Sequence, residues 1–174
     1  MTNNRHDRLT VLLHWTMALL ILAQLALGLW MVGLPKDDSG LRANWFNVHK
    51  SLGLVLLALI ALRGLNLLRR PRIDPAPGQP GPQRAAIAVH HALYLLMAIV
   101  PLSGLLGSAW SKYPIRFLSW TLPRLAEPWD QGKAAMATLH LFSTWALIAL
   151  VVLHVLAFAF HQYVLRDRLL DRMR

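Results

Sequence analysis

Residues 134–165 read AAMATLHLFSTWALIALVVLHVLAFAFHQYVL. The run is longer than a strand and apolar almost throughout, and it meets the ~20-residue requirement for a membrane-spanning helix. Two histidines interrupt it, His140 and His154, fourteen positions apart. Fourteen residues are close to four helical turns, so both imidazoles leave the same face, about 21 Å apart along the axis. A bilayer core is about 30 Å thick. One helix therefore offers a nitrogen ligand near each face of a membrane.

Three further apolar runs complete the pattern. The four segments cover about 9–32, 44–68, 85–110 and 134–165. None alternates polar with apolar residues, and backbone groups in lipid must be satisfied within the segment, so all four are expected to be helices. We expect an all-α, integral membrane, up-down four-helix bundle, with residues 1–174 forming a single transmembrane domain. Composition agrees: 56% of residues are hydrophobic and the mean hydropathy is +0.42. The first run is too long for a cleaved signal peptide, and Gly33-Leu34-Pro35 is a weak cleavage site. Polar or proline-rich linkers separate the runs: Pro35 to Arg42, Arg69 to Arg84, and Ser111 to Lys133. The last carries Trp120 and Trp129 and is expected on the membrane surface.

The net charge is +10, but the basic residues sit at the ends of apolar runs. Topology and anionic lipid account for them better than nucleic acid. The absence of cysteine excludes disulfides, iron–sulfur ligation, thiolate zinc sites and covalent c-type haem. Arg5 and Arg8, the linker residues Arg69, Arg70, Arg72 and Arg84, and Arg166, Arg168, Arg172 and Arg174 fall on one side. They outnumber Lys36, Arg42, Lys112, Arg116, Arg124 and Lys133 on the other. Both termini are thus expected in the cytoplasm. Trp30, Trp45, Trp110, Trp120 and Trp129 gather at the outer face as an interfacial belt.

Up-down topology fixes the depth of each histidine. His49 and His140 fall near the outer face, and His14 and His154 near the inner one. Two stacked bis-histidine sites result, and haem is their natural occupant. Advancing fourteen residues from His14, His49 and His90 reaches Gly28, Arg63 and Gly104. At the outer depth the first and third helices thus present glycine, which lets a flat macrocycle approach the backbone. At the inner depth the second presents Arg63, suited to a haem propionate or a quinone oxygen.

Competing readings are blander. A lone membrane histidine often only hydrogen-bonds to another helix; four at matched depths are better explained by a cofactor, because ionisable groups in the bilayer core are rare and functional. A histidine-lined zinc or copper transporter would want carboxylates or thiolates nearby, and the four segments contain no Asp or Glu. A non-catalytic scaffold is the remaining alternative. His6 reads as a solvated residue, His161 as interfacial, and His91 must point ~100° away from His90. Gln24 reads as an interhelical hydrogen-bond partner.

Leu13-His14-Trp15, His49-Lys50-Ser51-Leu52-Gly53, His90-x-x-x-Tyr94 with Pro101-Leu102-Ser103-Gly104, and the His140…His154 helix follow one another from about Arg8 to Leu165. The set resembles the prokaryotic cytochrome b561 family, and more widely the di-haem cytochrome b subunits of membrane formate dehydrogenases and nickel hydrogenases. The resemblance implies a bacterial inner-membrane protein with two b haems, passing electrons between a quinone such as ubiquinone and a donor or acceptor at the outer face. A member is described as a superoxide:ubiquinone oxidoreductase, an activity left open here. So is the role of cytochrome subunit in a larger dehydrogenase or hydrogenase, and the sequence leaves room for a homodimer. The resemblance also supplies a histidine matching His90, as an inner ligand in place of His14 or as a contact to a propionate or quinone. His14 is preferred because the wider superfamily uses the first helix.

Overall fold

A computed structural model describes residues 8–69, 80–166 and 170. Helices α1 (Arg8–Met31), α2 (Leu41–Arg69), α3 (Pro80–Ala109) and α4 (Asp130–Ala159) carry the fold. All four are long and apolar enough to cross a membrane. The protein is an all-α membrane-spanning bundle in which α1 packs closely on α2 and α3 on α4. His6 and the linker's Arg70 and Arg72 lie outside the described residues.

Three helices begin earlier than the apolar pattern suggests, α2 at Leu41 rather than near Asn44. α3 starts at Pro80 rather than near Ala85; proline lacks an N–H, but the first helical turn has no acceptor for one. α4 starts at Asp130 rather than Ala134, and the acid at its first residue complements the helix dipole. One carboxylate therefore does belong to a helix, at its outermost end. α4 closes in a single π-helical turn, Phe160–Val164.

The bundle is polar where small residues touch and apolar outside. Ser51 and Ser103 are among the most enclosed residues, 1% and 2% exposed, while Leu12, Leu19, Leu95 and Leu156 lie open on the outer surface. Lipid competes for leucine as well as protein does, so membrane helices associate through small side chains and hydrogen bonds. Gln24 donates to the His49 carbonyl at 2.9 Å and Asn66 to the Thr10 hydroxyl at 3.1 Å, tying α2 to α1 at two depths. Arg42 caps the end of α1, donating to the carbonyls of Met31, Val32 and Leu34.

The linker between α3 and α4 folds into a small hairpin, β1 (Arg116–Phe117) paired with β2 (Trp120–Thr121). Asn47 of α2 donates to the Leu118 carbonyl at 2.8 Å, and the Leu118 N–H donates to the Ser51 hydroxyl at 2.8 Å. Four of the five belt tryptophans pair edge-to-face, Trp30 with Trp45 and Trp110 with Trp129, at ring separations of 5.1 and 5.0 Å.

Candidate functional site

His49 and His140 face each other from α2 and α4, with ring centres 6.4 Å apart and planes at 88°. His14 and His154 do the same from α1 and α4, at 6.5 Å and 65°. Each pair joins one helix of the α1–α2 unit to one of the α3–α4 unit, so the imidazoles meet across the seam between the units.

The His49–His140 pair, called outer after the sequence expectation as His14–His154 is called inner, is closely supported. His140 Nδ1 lies 2.8 Å from the Val100 carbonyl and 3.3 Å from the Ser103 hydroxyl. A carbonyl only accepts, so Nδ1 carries the proton and Nε2 keeps its lone pair, the tautomer a metal ligand needs. Pro101 interrupts α3 beside that carbonyl. Both rings rest in glycine notches of the neighbouring helix. A Cβ at Gly28 would stand 3.3 Å from His49 Cε1, and one at Gly104 would stand 3.2 Å from His140 Cε1. The sequence suggested that these glycines let a macrocycle approach the backbone; in the structure each also leaves room for an imidazole. The hairpin closes over α2 at Asn47 and Ser51, two residues to either side of His49.

The inner pair is crowded. His90 sends its ring to within 5.3 Å of His154, edge-on at 86°, while its Nδ1 approaches the Ala86 carbonyl at 2.7 Å. The His14 ring also packs against Trp15 at 5.3 Å. Arg63, expected to seek an anion, donates from Nε to the Tyr94 hydroxyl at 3.1 Å and lies over that ring. His91 is exposed, and His161 lies in the π-turn against Phe160. Val100, Ser103, Asn47, Ser51 and Tyr94 were assigned no role from sequence. Ser51, Tyr94 and Ser103 belong to the short motifs quoted above, which was the available signal.

Between the two histidine planes lies an apolar layer with its own register. Seven residues after His14, His49, His90 and His140 come Ile21, Leu56, Met97 and Leu147. Ile21, Leu56 and Leu147 are buried together with Met17, and Met97 packs against them. Seven residues are about two turns, so each helix presents this layer on the face that carries its site residues.

The donor set tests which group fits. Imidazole nitrogen binds a first-row metal at about 2 Å, and two such bonds back to back, with the depth of both rings, approach the separations of 6.4 and 6.5 Å. The 5.3 Å between His90 and His154 is short for that arrangement. Among the described residues no three His, Asp or Glu converge on a metal position. Two imidazoles leave a bare ion short of donors, whereas a haem brings its equatorial nitrogens with it. The residues present fit a bis-imidazole haem.

A family model described as prokaryotic cytochrome b561 matches residues 5–174. Cytochrome b561 homolog 2 of Escherichia coli (strain K12) is 33% identical over 179 residues, covering 99% of this chain and 92% of that protein. Cytochrome b561 homolog 1 of the same strain is 27% identical over 175 residues, covering 98% and 97%. Probable superoxide oxidase CybB of Yersinia pestis is 29% identical over 133 residues, covering 72% of each chain.

Proposed function

This chain belongs to the prokaryotic cytochrome b561 family, and on that premise we propose that it is a di-haem b-type electron carrier linking a quinone pool to a donor or acceptor at the outer face. Family membership brings a membrane-embedded redox role and the capacity to bind haem. The finer reading rests on one observation: two histidine pairs of nearly equal separation, 6.4 and 6.5 Å, both anchored on α4.

His49 and His140 would hold the outer haem, and His14 and His154 the inner one. Two imidazoles on each haem would leave no open position for oxygen, which favours electron transfer over oxygenase chemistry. When bound, each haem supplies a one-electron ferric–ferrous couple. The protein's part is to fix ring orientation through Val100 and Ser103, exclude water with the apolar layer, and place Arg63 and His90 at the inner depth. There they are available to a propionate or to quinone. Superoxide, named for the Yersinia pestis relative, is the outer-face donor to try first. We place the chain in a bacterial inner membrane as one transmembrane domain. Both termini are cytoplasmic, so a reporter fused after Arg174 is expected to behave as internal; external activity would exchange the two site labels.

The deciding experiment is haem-to-protein stoichiometry with a reduced-minus-oxidised absorption spectrum. Two low-spin haems per chain are expected. One haem, or a predominantly high-spin ferric species, would break the pairing.

A further inference from the structure

Gln24 is a buried amide on an otherwise apolar face of α1, 8% exposed. Its Nε2 donates to the backbone carbonyl of His49 at 2.9 Å. Its Oε1 is buried with no hydrogen-bond partner, and so is His49 Nδ1. The two orphans are complementary: an amide oxygen only accepts, and an imidazole nitrogen carrying a proton donates. Both are sealed from solvent, so bulk water does not satisfy them.

They also sit on the same side of the site. His49 Nδ1 lies 3.8 Å from where a Cβ of Gly28 would stand, so it faces α1. Gln24 is one turn before Gly28 and shares its face. On α2, a Cβ at Gly53 would stand 3.5 Å from Gln24 Nε2, so small residues flank the amide. His140, the opposite ligand, already has its Nδ1 bonded to a carbonyl of the helix beside it. His49 lacks the matching contact.

We infer that Gln24 is the positioning residue for His49, clamping it at two points: Nε2 donates to the His49 carbonyl, and Oε1 would accept from His49 Nδ1–H when Nε2 of that ring holds the haem. This rests on the bis-histidine reading above. Pairing these two atoms would satisfy both orphans at once. A ligating histidine whose second nitrogen donates a hydrogen bond is a stronger base, and loss of such a contact typically changes metal affinity by 10–100-fold. A stronger base favours the ferric state.

The test uses the purified two-haem protein in detergent, reading the midpoint potentials of both haems. Gln24→Leu is expected to raise the outer potential by about 59 mV, a tenfold change in relative ferric and ferrous affinity for a one-electron couple, and to leave the inner one in place. Gln24→Glu, which keeps an acceptor oxygen, should return most of the shift. In the unaltered protein the His49 Nδ1–H should exchange slowly with water by NMR of isotope-labelled histidine. An unmoved outer potential in Gln24→Leu with both haems present overturns the clamp. So does a joint shift of both potentials, the mark of a packing residue, or rapid exchange of the His49 proton. If Gln24→Leu loses the outer haem, retention of that haem near its normal potential in Gln24→Glu supports the clamp, and its loss there overturns it. An unaltered protein with no haem at the outer pair fails the functional reading itself, and is recognised from the spectrum before any variant is made.

Discussion

The outer and inner histidine pairs have almost the same separation and very different surroundings. At the outer pair each imidazole leans on a glycine of the adjacent helix, one Nδ1 is tied to a carbonyl, and a hairpin is pinned over the helix that carries His49. At the inner pair a third imidazole competes for the space beside His154, and an arginine is engaged with a phenol rather than a carboxylate. Geometry that is over-determined holds one arrangement; geometry with a spare ligand allows an exchange. On the proposed reading, the outer pair has the better fixed imidazole, and the inner pair has a third histidine beside it that could exchange with a ligand.

The largest effect should come from the ligands. His140→Ala is expected to remove the outer haem and spare the inner one, and His154→Ala the reverse, each halving haem content. His14→Ala should also remove the inner haem, while His90→Ala should keep two haems and alter the inner spectrum or quinone response. Loss of the inner haem from His90→Ala, with retention in His14→Ala, would replace His14 by His90 as the ligand.

A smaller effect separates the glycines. A methyl at Gly104 would press on His140 at 3.2 and 3.3 Å, so Gly104→Ala should destabilise the protein by about 1–3 kcal/mol, the usual cost of overpacking, and loosen the outer haem. Gly64, toward the inner end, has nothing within 4 Å of its would-be Cβ. Gly64→Ala should be neutral or stabilising by up to ~1 kcal/mol from helix propensity. Thermal unfolding and haem retention check both. Equal responses would mean that the glycine notch does not distinguish the outer site.

Arg63→Leu should leave haem content unchanged and act on potential alone, lowering that of the inner haem with little change at the outer one. A charge on the order of 10 Å away at an effective dielectric near 20 contributes roughly 1–2 kcal/mol, and its removal favours the more positive ferric state. Tyr94→Phe removes the partner but keeps the charge, so it should shift the potential less. An unmoved inner potential in Arg63→Leu, with normal haem content, would leave Arg63 a topological anchor.

The pairing of the four site histidines was legible in the sequence because helical rise and up-down topology are nearly invariant in a membrane. That arithmetic brought His49 opposite His140 and His14 opposite His154. It did not reveal contacts that depend on helix rotation, and so Tyr94 as the partner of Arg63 was missed. Pro80 was read as a breaker, although proline is acceptable in a first turn. The hairpin left no trace because its strands are two residues long and its turn uses Leu118 at φ 54°, where a glycine or asparagine would have signalled it. Gly28 and Gly104 were found beside the outer pair, but the imidazole that each accommodates was not, since spacing shows where room exists and not what fills it.

The seven-residue apolar layer has a consequence for voltage. A charge travelling between the two histidine planes would cover about 21 Å of a core about 30 Å thick, past the packed side chains of Ile21, Leu56, Met97 and Leu147. Roughly two-thirds of the transmembrane voltage would act on each electron passed, about 1.5 kcal/mol for every 100 mV. In an energised cell, traffic through this bundle would run more easily outward-to-inward or inward-to-outward according to the membrane's polarity alone, before any difference between the two sites is counted.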